Sequence, residues 1–511
     1  VCGTVAALLT LEESVRASLI AAIALLAASA SAETGTTRYP MEWGGQYPEG
    51  EPVPRSLTER ERVMLEAFRA TQRGGPPSTP PPLGPVVCPP EYAPAEGILL
   101  AWEPSSNGIR DILTGLAVNI TNAGEAKAFI YVDNSAEQST VQSLLTTAGA
   151  NMSRVQFFVA TTDTIWIRDY GPRYIYEGGV RAIVDHEYNR PRPNDDLQPF
   201  SFGAARGHRV YQIPLIHGGG NYHLDQVQES FATRLIANEN PGVPETEIVN
   251  RWRNYQGLGT TLTDPFPTSV DSTQHIDMWM LPVSEKVVVI SDWPNNPGST
   301  QDVICDTTAD TLERRGYTVY RVPARSIGGV HYTYTNAVFC NNILILPTYT
   351  NPQMAAHNTE ALNVMRQAIG AGRSVVQLNC EAIVGLSGVI HCVVMHVPKN
   401  TNGASPTAYV RTLNEGGFVE PGSTQEISWS ADDDIGVTGV KVEFSPDNGQ
   451  SWQTLASAQP AFGSLDWTVP TTPFTAGRIR VTATDASANT GTDMNDALLR
   501  NASLGSAFHA Y

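Results

Sequence analysis

Four residues far apart in the chain, Asp169, His275, Asp277 and Cys392, are of the types that together build a nucleophilic site. Cys392 lies in "GLSGVIHCVVMHVP" (385–398), a short apolar stretch with a glycine-bearing lead-in. Taken alone, that cysteine reads first as a small core hydrophobe. His275 and Asp277 stand two apart in "STQHIDMWMLPV", a spacing that puts both on one face of a strand. Asp169 follows Trp166 and Arg168 in "TTDTIWIRDYGPRYIY". A fourth stretch, "HGGGNYHLDQVQ", places three glycines before Asn221, His223 and Asp225; with no Lys-Ser/Thr after them, it is not a phosphate loop.

Two carboxylates beside a thiolate raise the pKa of the thiol, a poor arrangement for peptide-bond hydrolysis. They suit a substrate that is itself cationic and planar. A guanidinium presents five donors in a rigid fork that carboxylates match two at a time, and its central carbon then faces the sulfur as the electrophile. The histidine protonates departing ammonia and afterwards activates water, so the set implies hydrolysis of a guanidine to a urea without a cofactor. His391, Cys392 and His396 are weak candidates for a metal site. On a strand His391 and Cys392 face opposite ways, so no metal is expected and His391 reads as structural.

The elements that must position these residues run from about residue 86 to 400. "GILLAW" and "AKAFIYVD" read as strands flanking a helix over "GIRDILTGLAVNITNA"; "VQSLLTTAGA" is a second helix and "VQFFVA" a further strand. Three later stretches, "GPRYIYEGGVRAIVDHEY", "HIDMWMLPVSEKVVVISDW" and "YTNAVFCNNILILPTY", share a strand–turn–strand style, with helices at "DTTADTLERRG" and "NTEALNVMRQAIGAG" between such units. This weak internal repeat suggests sectors of an α/β protein rather than one doubly wound sheet. The glycines of "GLSG" are expected to let the chain bend toward the site. From 401 to 511 short alternating strands broken by turn residues predict an immunoglobulin-like or fibronectin-like β-sandwich.

Ahead of residue 86 the reading is of accessory sequence. Residues 1–32 contain "ASLIAAIALLAASASA", an apolar run ending in a small-x-small pattern, and are expected to be a signal peptide; 33–85 form an extension. Its first part, 33–55, reads as disordered. Ser56 and Glu59 are spaced as a capping box for a helix over "SLTERERVMLEAFRA", and a proline-rich linker follows. Export implies a secreted, cell-surface or periplasmic protein. The formal net charge of −18 argues against nucleic-acid partners, and no later segment is long and apolar enough to insert in a membrane. Cys340 and Cys380 fit either core positions or a disulfide.

The pieces "WIRDYGP" (166–172), "GGGN" (218–221), "HIDMW" (275–279), "YTN" (334–336) and "IHC" (390–392), in that order, resemble the bacterial peptidylarginine deiminase and agmatine deiminase family. The resemblance implies a five-bladed α/β propeller with Cys392 as nucleophile, His275 as general acid/base, and Asp169 and Asp277 as the guanidinium clamp. It also implies Trp166 along the arginine side chain, Arg168 among the substrate-binding residues, and Asn336 near the site with no assigned role. Asn221 and Asp225 would act as supporting residues behind it. "EYNRPRPNDD" (187–196) is similar to the peptidylarginine branch, in which two arginines, here Arg190 and Arg192, hold the substrate's terminal carboxylate. The bland alternative is a solvated basic turn paired with Asp195 and Asp196. "DSTQ" before His275 departs from the branch pattern. The expected partners are therefore arginine-containing proteins or peptides. A secreted agmatine deiminase is the alternative within the class, and a catalytically inert binding or adhesion protein the alternative outside it.

Overall fold

A computed structural model of the chain describes residues 35–47, 50–71 and 75–502, so the segment read as a signal peptide lies outside the described residues. Among the described residues two compact units are present, one formed by 36–203 and 208–404, the other chiefly by 405–502 together with 204–207. Among the described residues no helix is long and apolar enough to cross a membrane.

The first unit is a mixed α/β structure whose sheets repeat one plan. In each, an antiparallel strand pair is followed by a helix that returns the chain to a third strand, parallel to the second. The plan occurs in Arg173–Glu177, Val180–Tyr188 and Arg209–His217. It recurs in His223–Leu224, Glu229–Thr233 and Gly259–Thr263, in Met280–Ser284, Val287–Asp292 and Thr318–Pro323, and in Val338–Cys340, Ile343–Thr348 and Ser374–Asn379. A fifth sheet joins the two ends of the unit: Met395–Pro398 pairs antiparallel with Ala95–Ala101, which pairs parallel with Lys127–Val132; outside the plan, Arg325–Ile327 and Val330–Tyr332 form a separate antiparallel pair. A parallel neighbour needs a crossover, and helices such as Asn107–Thr121 and Thr300–Arg314 supply it.

Sequence texture explains the arrangement. Ala95–Ala101 and Val180–Tyr188 are buried at every position, as expected of strands covered on both faces. The Asn107–Thr121 helix starts where the Ser106 side chain accepts from Ile109 N, and it buries Ile109, Ile112, Leu113, Leu116 and Ile120 along one stripe. In the second unit, Arg478–Asp485 instead alternates buried and half-buried residues. There a three-stranded and a four-stranded antiparallel sheet share a core that includes Trp429, Val442, Phe444, Trp467 and Val481.

The extension differs from its sequence reading. Rather than being disordered, residues around Tyr39, Trp43 and Arg55 are packed onto the first unit; the Tyr39 hydroxyl donates to Tyr188 O at 2.6 Å, and Arg55 is fully buried. The capping box of the Glu59–Thr71 helix lies two residues later than expected. Thr58 Oγ1 accepts from Glu61 N at 3.2 Å, and Glu61 Oε2 accepts from Thr58 N at 2.8 Å. The shift puts Glu61, Leu65 and Phe68 on the buried face, where Phe68 meets Tyr39 and Trp43. The proline-rich stretch is extended and tied at Thr79, whose N–H donates to Gln212 O and whose hydroxyl accepts from Gln212 N.

Candidate active site

The site residues sit on short helical turns leading into first strands, not on the strands themselves. Asp169 is in the Ile167–Tyr170 turn, Asn221 in Gly219–Asn221, Asp277 in Ile276–Met278 with His275 at its N-cap, and Cys392 in His391–Val393. Adjacent side chains on a 3₁₀ turn are about 120° apart rather than opposed. His391 and Cys392 therefore do not face opposite ways, as they would on a strand: both reach the site. Gln274, at φ 59°, takes a left-handed conformation rare for a non-glycine and so aims His275 inward.

Asn336 and Asn221 hold the turns together. Asn336 Nδ2 donates to Asp277 O at 3.2 Å and lies 3.2 Å from Cys392 Sγ, while its Oδ1 accepts from His391 N at 3.0 Å. Asn221 Oδ1 accepts from Thr233 N at 2.9 Å and from Ile276 N at 3.2 Å, which pins the His275–Asp277 turn to its neighbour. His391 bridges Asp277 Oδ2 (2.9 Å) and Glu91 Oε2 (2.7 Å).

The site is filled from within the chain. The guanidinium of Arg55 donates from Nε and Nη2 to Asp169 at 2.9 and 2.7 Å, and from Nη1 and Nη2 to Asp277 at 3.0 and 2.9 Å. Its Nη1 lies 2.7 Å from Cys392 Sγ. This is a planar fork met by two carboxylates, the match the sequence chemistry called for. His275 Nδ1 is 3.4 Å from Asp169 Oδ1, an ion pair when the ring is protonated but too poorly aimed for a hydrogen bond.

The backbone around Arg55 is held as well. Trp166 Nε1 donates to Val53 O at 2.9 Å, Arg192 Nη2 to Pro54 O at 2.9 Å, and Arg190 Nε to Arg55 O at 3.1 Å. Arg55 N donates to Leu386 O at 2.9 Å. Arg192 Nε also donates to Glu61 Oε1 at 2.8 Å. Arg190 and Arg192 are thus buried, and neither is a solvated turn residue. Beside this segment lies a cleft of about 160 Å³ whose lining includes Glu51, Glu137 and Asp163, together with Glu103, whose carboxyl burial pushes up to about 8.

Charge and burial compete in this pocket. Burial raises the Asp169 and Asp277 carboxyls, but the Arg55 guanidinium outweighs it, aided by His275 at Asp169 and by His391 at Asp277, and both end below the usual carboxylate range. Burial pushes the Cys392 thiol well up; Arg55 opposes that rise while Asp277 and Asp169 add to it. The cation is therefore the group that favours the thiolate.

Glycines make the room. A Cβ on Gly220 would stand 2.7 Å from Asp169 Oδ1 and 2.8 Å from Asp277 Oδ2, in the space the guanidinium fills. A Cβ on Gly388 would stand 2.6 Å from Trp166 Cζ3 and 3.1 Å from both Arg55 Cδ and Cys392 Sγ, so the indole and the arginine stem converge there. The expected hinge in "GLSG" is instead a space-making glycine, with the backbone turned at Ser387 (φ 66°). Gly220 has no left-handed φ, so Gly220→Ala is tolerated by the backbone. The added Cβ would run into Arg55 Nη2, so the change is expected to unseat Arg55 and lower the melting temperature, and to raise KM for any guanidine roughly 100-fold by overpacking the clamp; steady-state kinetics beside a thermal melt checks both.

Two assignments need correction. Arg168 does not bind the guanidinium: its Nη1 donates to Glu91 Oε1 at 2.6 Å and its Nε to His391 O at 3.2 Å, so it braces the Cys392 turn. Asp225 does not support the site; its carboxylate accepts from Tyr317 and from the N–H groups of Val227 and Glu229. "DSTQ" forms its own turn, with Asp271 Oδ1 accepting from Thr273 N and Oγ1. Among the described residues the cysteines are unbonded, and Cys340 and Cys380 are core residues. Sequence reasoning missed Arg55, Glu91 and His391. Of these only His391, adjacent to Cys392 in a quoted motif, carried a local signal.

Known proteins resemble the first unit. A protein of Selenomonas ruminantium described as an agmatine deiminase is 22% identical over 369 residues, covering 61% of this chain and 95% of its own. One of Streptomyces coelicolor with the same description is 23% identical over 344 residues, covering 61% and 98%. Among solved structures, the C. jejuni agmatine deiminase with substrate bound superposes with a TM-score of 0.54 at 17% identity, covering 62% of this chain and 97% of that one. A Porphyromonas gingivalis protein described as an arginine deiminase gives 0.53 at 19%, covering 62% and 99%. These structures share the mixed α/β fold. The family model of the Porphyromonas-type peptidyl-arginine deiminases matches residues 87–398, which include every turn that meets at Cys392, and the chain belongs to that family.

Proposed function

We propose that the chain hydrolyses the guanidino group of arginine held in a polypeptide, giving citrulline and ammonia. The observation that carries this reading is Arg55: an arginine within a chain, with its guanidinium between Asp169 and Asp277 and its own carbonyl on Arg190. Cys392 attacks the guanidinium carbon, His275 protonates the departing ammonia, and water activated by His275 cleaves the S-alkylthiouronium intermediate. Arg190 and Arg192 read the backbone or terminal carboxylate of the substrate. The same reading takes the five repeated sheets as sectors of an α/β propeller and residues 401–511 as an immunoglobulin-like β-sandwich. It takes residues 1–32 as an export signal for a secreted, cell-surface or periplasmic protein.

Agmatine is the second reading, and the relatives favour it more directly than they favour a protein substrate, being described as agmatine deiminases over nearly their whole length. In that case the clamp and thiol act unchanged, and Arg190 and Arg192 serve the chain's own strap. Ureido-product assays with agmatine and with peptides carrying internal or C-terminal arginine separate the two. In the Arg55→Gln background, where the chain's own arginine no longer fills the clamp, Arg190→Ala is expected to raise the KM of peptide substrates roughly 10- to 100-fold, the loss of one charge-assisted hydrogen bond, and to leave agmatine kinetics alone. Turnover of agmatine alone makes the second reading correct. No turnover of any guanidine, even by an Arg55→Gln chain with its clamp vacated, refutes both and leaves a binding protein.

A further inference from the structure

The extension does more than lie against the first unit. It delivers one arginine to the clamp and nucleophile, and it is fixed there by backbone contacts on both sides of that residue. Val53 O, Pro54 O and Arg55 O are each bound by a side chain of the first unit, and Arg55 N by a backbone carbonyl. Six residues on, Glu61 anchors the strap a second time through Arg192. Here Arg192 raises its own hold: burial pushes the Glu61 carboxyl up, but the arginine brings it below its ordinary value, so the anchor is charged at neutral pH. Arg55 is fully buried, so while the strap is seated no external guanidine can share the clamp.

An inert plug would be expected to keep its arginine away from the sulfur, or to offer another residue. Here Nη1 lies 2.7 Å from Cys392 Sγ, and all three guanidinium nitrogens are paired with the two carboxylates. Tethering makes the encounter intramolecular, so the strap outcompetes dilute external substrates by its effective concentration.

We propose that Arg55 is a modification site: it is deiminated in cis by Cys392, and that single turnover opens the site. This inference rests on the guanidine-hydrolase reading above. The step balances with one water in and one ammonia out. Cys392 Sγ bonds to Arg55 Cζ, one terminal nitrogen leaves as ammonia with a proton from His275, water adds its oxygen to the thiouronium carbon, and the S–C bond breaks to restore the thiol. No oxidant or reductant is needed. The neutral ureido group that remains gives Asp169 and Asp277 no charge to pair with, and two buried unpaired carboxylates favour water over a neutral plug. The strap then leaves and external guanidines gain the clamp.

The test is peptide mass spectrometry of residue 55 in the purified full chain, sampled over time at several protein concentrations. Cys392→Ala and Cys392→Ser serve as paired controls in case one folds poorly, and each is also mixed with the unaltered chain. Citrulline at 55 in the unaltered chain, formed at a rate independent of concentration, with arginine retained in both variants even in the mixtures, supports the proposal. Conversion of the variants in the mixtures means the reaction runs between molecules and overturns the cis step. Arginine retained at 55 in a chain that turns over added guanidines overturns the proposal and makes the strap a simple plug. Arginine retained in the unaltered chain, together with turnover by Arg55→Gln, has the same meaning. If neither chain turns over any guanidine, the hydrolase reading itself has failed, and the proposal falls with it.

Discussion

Cys392→Ala is expected to lower kcat for every accepted guanidine roughly 10⁴- to 10⁶-fold, the scale of losing a nucleophile that acts as a unit with its partners. Cys340 and Cys380 cannot substitute, because neither meets the carboxylate clamp: Cys340 Sγ lies against Gly124, and Cys380 Sγ donates to Leu378 O. The pH dependence carries a second, signed expectation. Burial drives the Cys392 thiol well above its ordinary value, and a guanidinium in the clamp pulls it back. In the Arg55→Gln chain the free site lacks that cation and the occupied site has it. The acid limb of kcat, which reports the complex, should therefore lie at lower pH than the acid limb of kcat/KM, which reports the free enzyme. Coincident limbs would show that the guanidinium does not tune the thiol.

Asp277→Asn is expected to cost about 3–5 kcal/mol of stability, because it leaves part of a buried cation unpaired. Asp277 accepts from two Arg55 nitrogens and faces His391, and it is wholly buried. Urea unfolding of the single variant, of Arg55→Gln and of the double variant forms a cycle; the double should recover much of the loss, since both charges of the pair are then gone. Independent, additive losses would mean that Asp277 stabilises the fold through His391 instead. The sign with pH follows from the lowered carboxyl. Its stabilisation is present above the ordinary value of 3.8 and is lost as pH falls through the lower folded value. Turnover should be lost in the variant at all pH values, since the clamp then holds only one carboxylate.

Much of the site's composition was legible along the chain because it follows from residue type: Asp169, His275, Asp277 and Cys392 do come together. A cysteine, a histidine and two aspartates in motifs of fixed order specify what a substrate must look like before any distance is known. The strand–turn–strand repeats were legible too, since continuous apolar runs such as Ala95–Ala101 and alternating ones such as Arg478–Asp485 differ in period. Local geometry at the site was not. "HIDMW" and "IHC" are apolar enough to read as strands, yet form 3₁₀ turns because Asn221 and Asn336, distant in sequence, take their backbone and side-chain hydrogen bonds.

The sequence alone determined which residue types meet: a cysteine, a histidine and two aspartates whose charges call for a guanidinium. Only the tertiary structure decided which groups surround them. Arg168 reads as a ligand and is a brace for Glu91 and His391, because its turn carries it behind Asp169 toward Glu91. Arg55 reads as the last residue of a disordered stretch of the extension and is instead the guanidinium in the clamp. Nothing in "PVPRSLTE" marks it. Its partners lie 114, 222 and 337 residues away, and a charge so far along the chain finds its buried counter-charges only when folding brings the turns together.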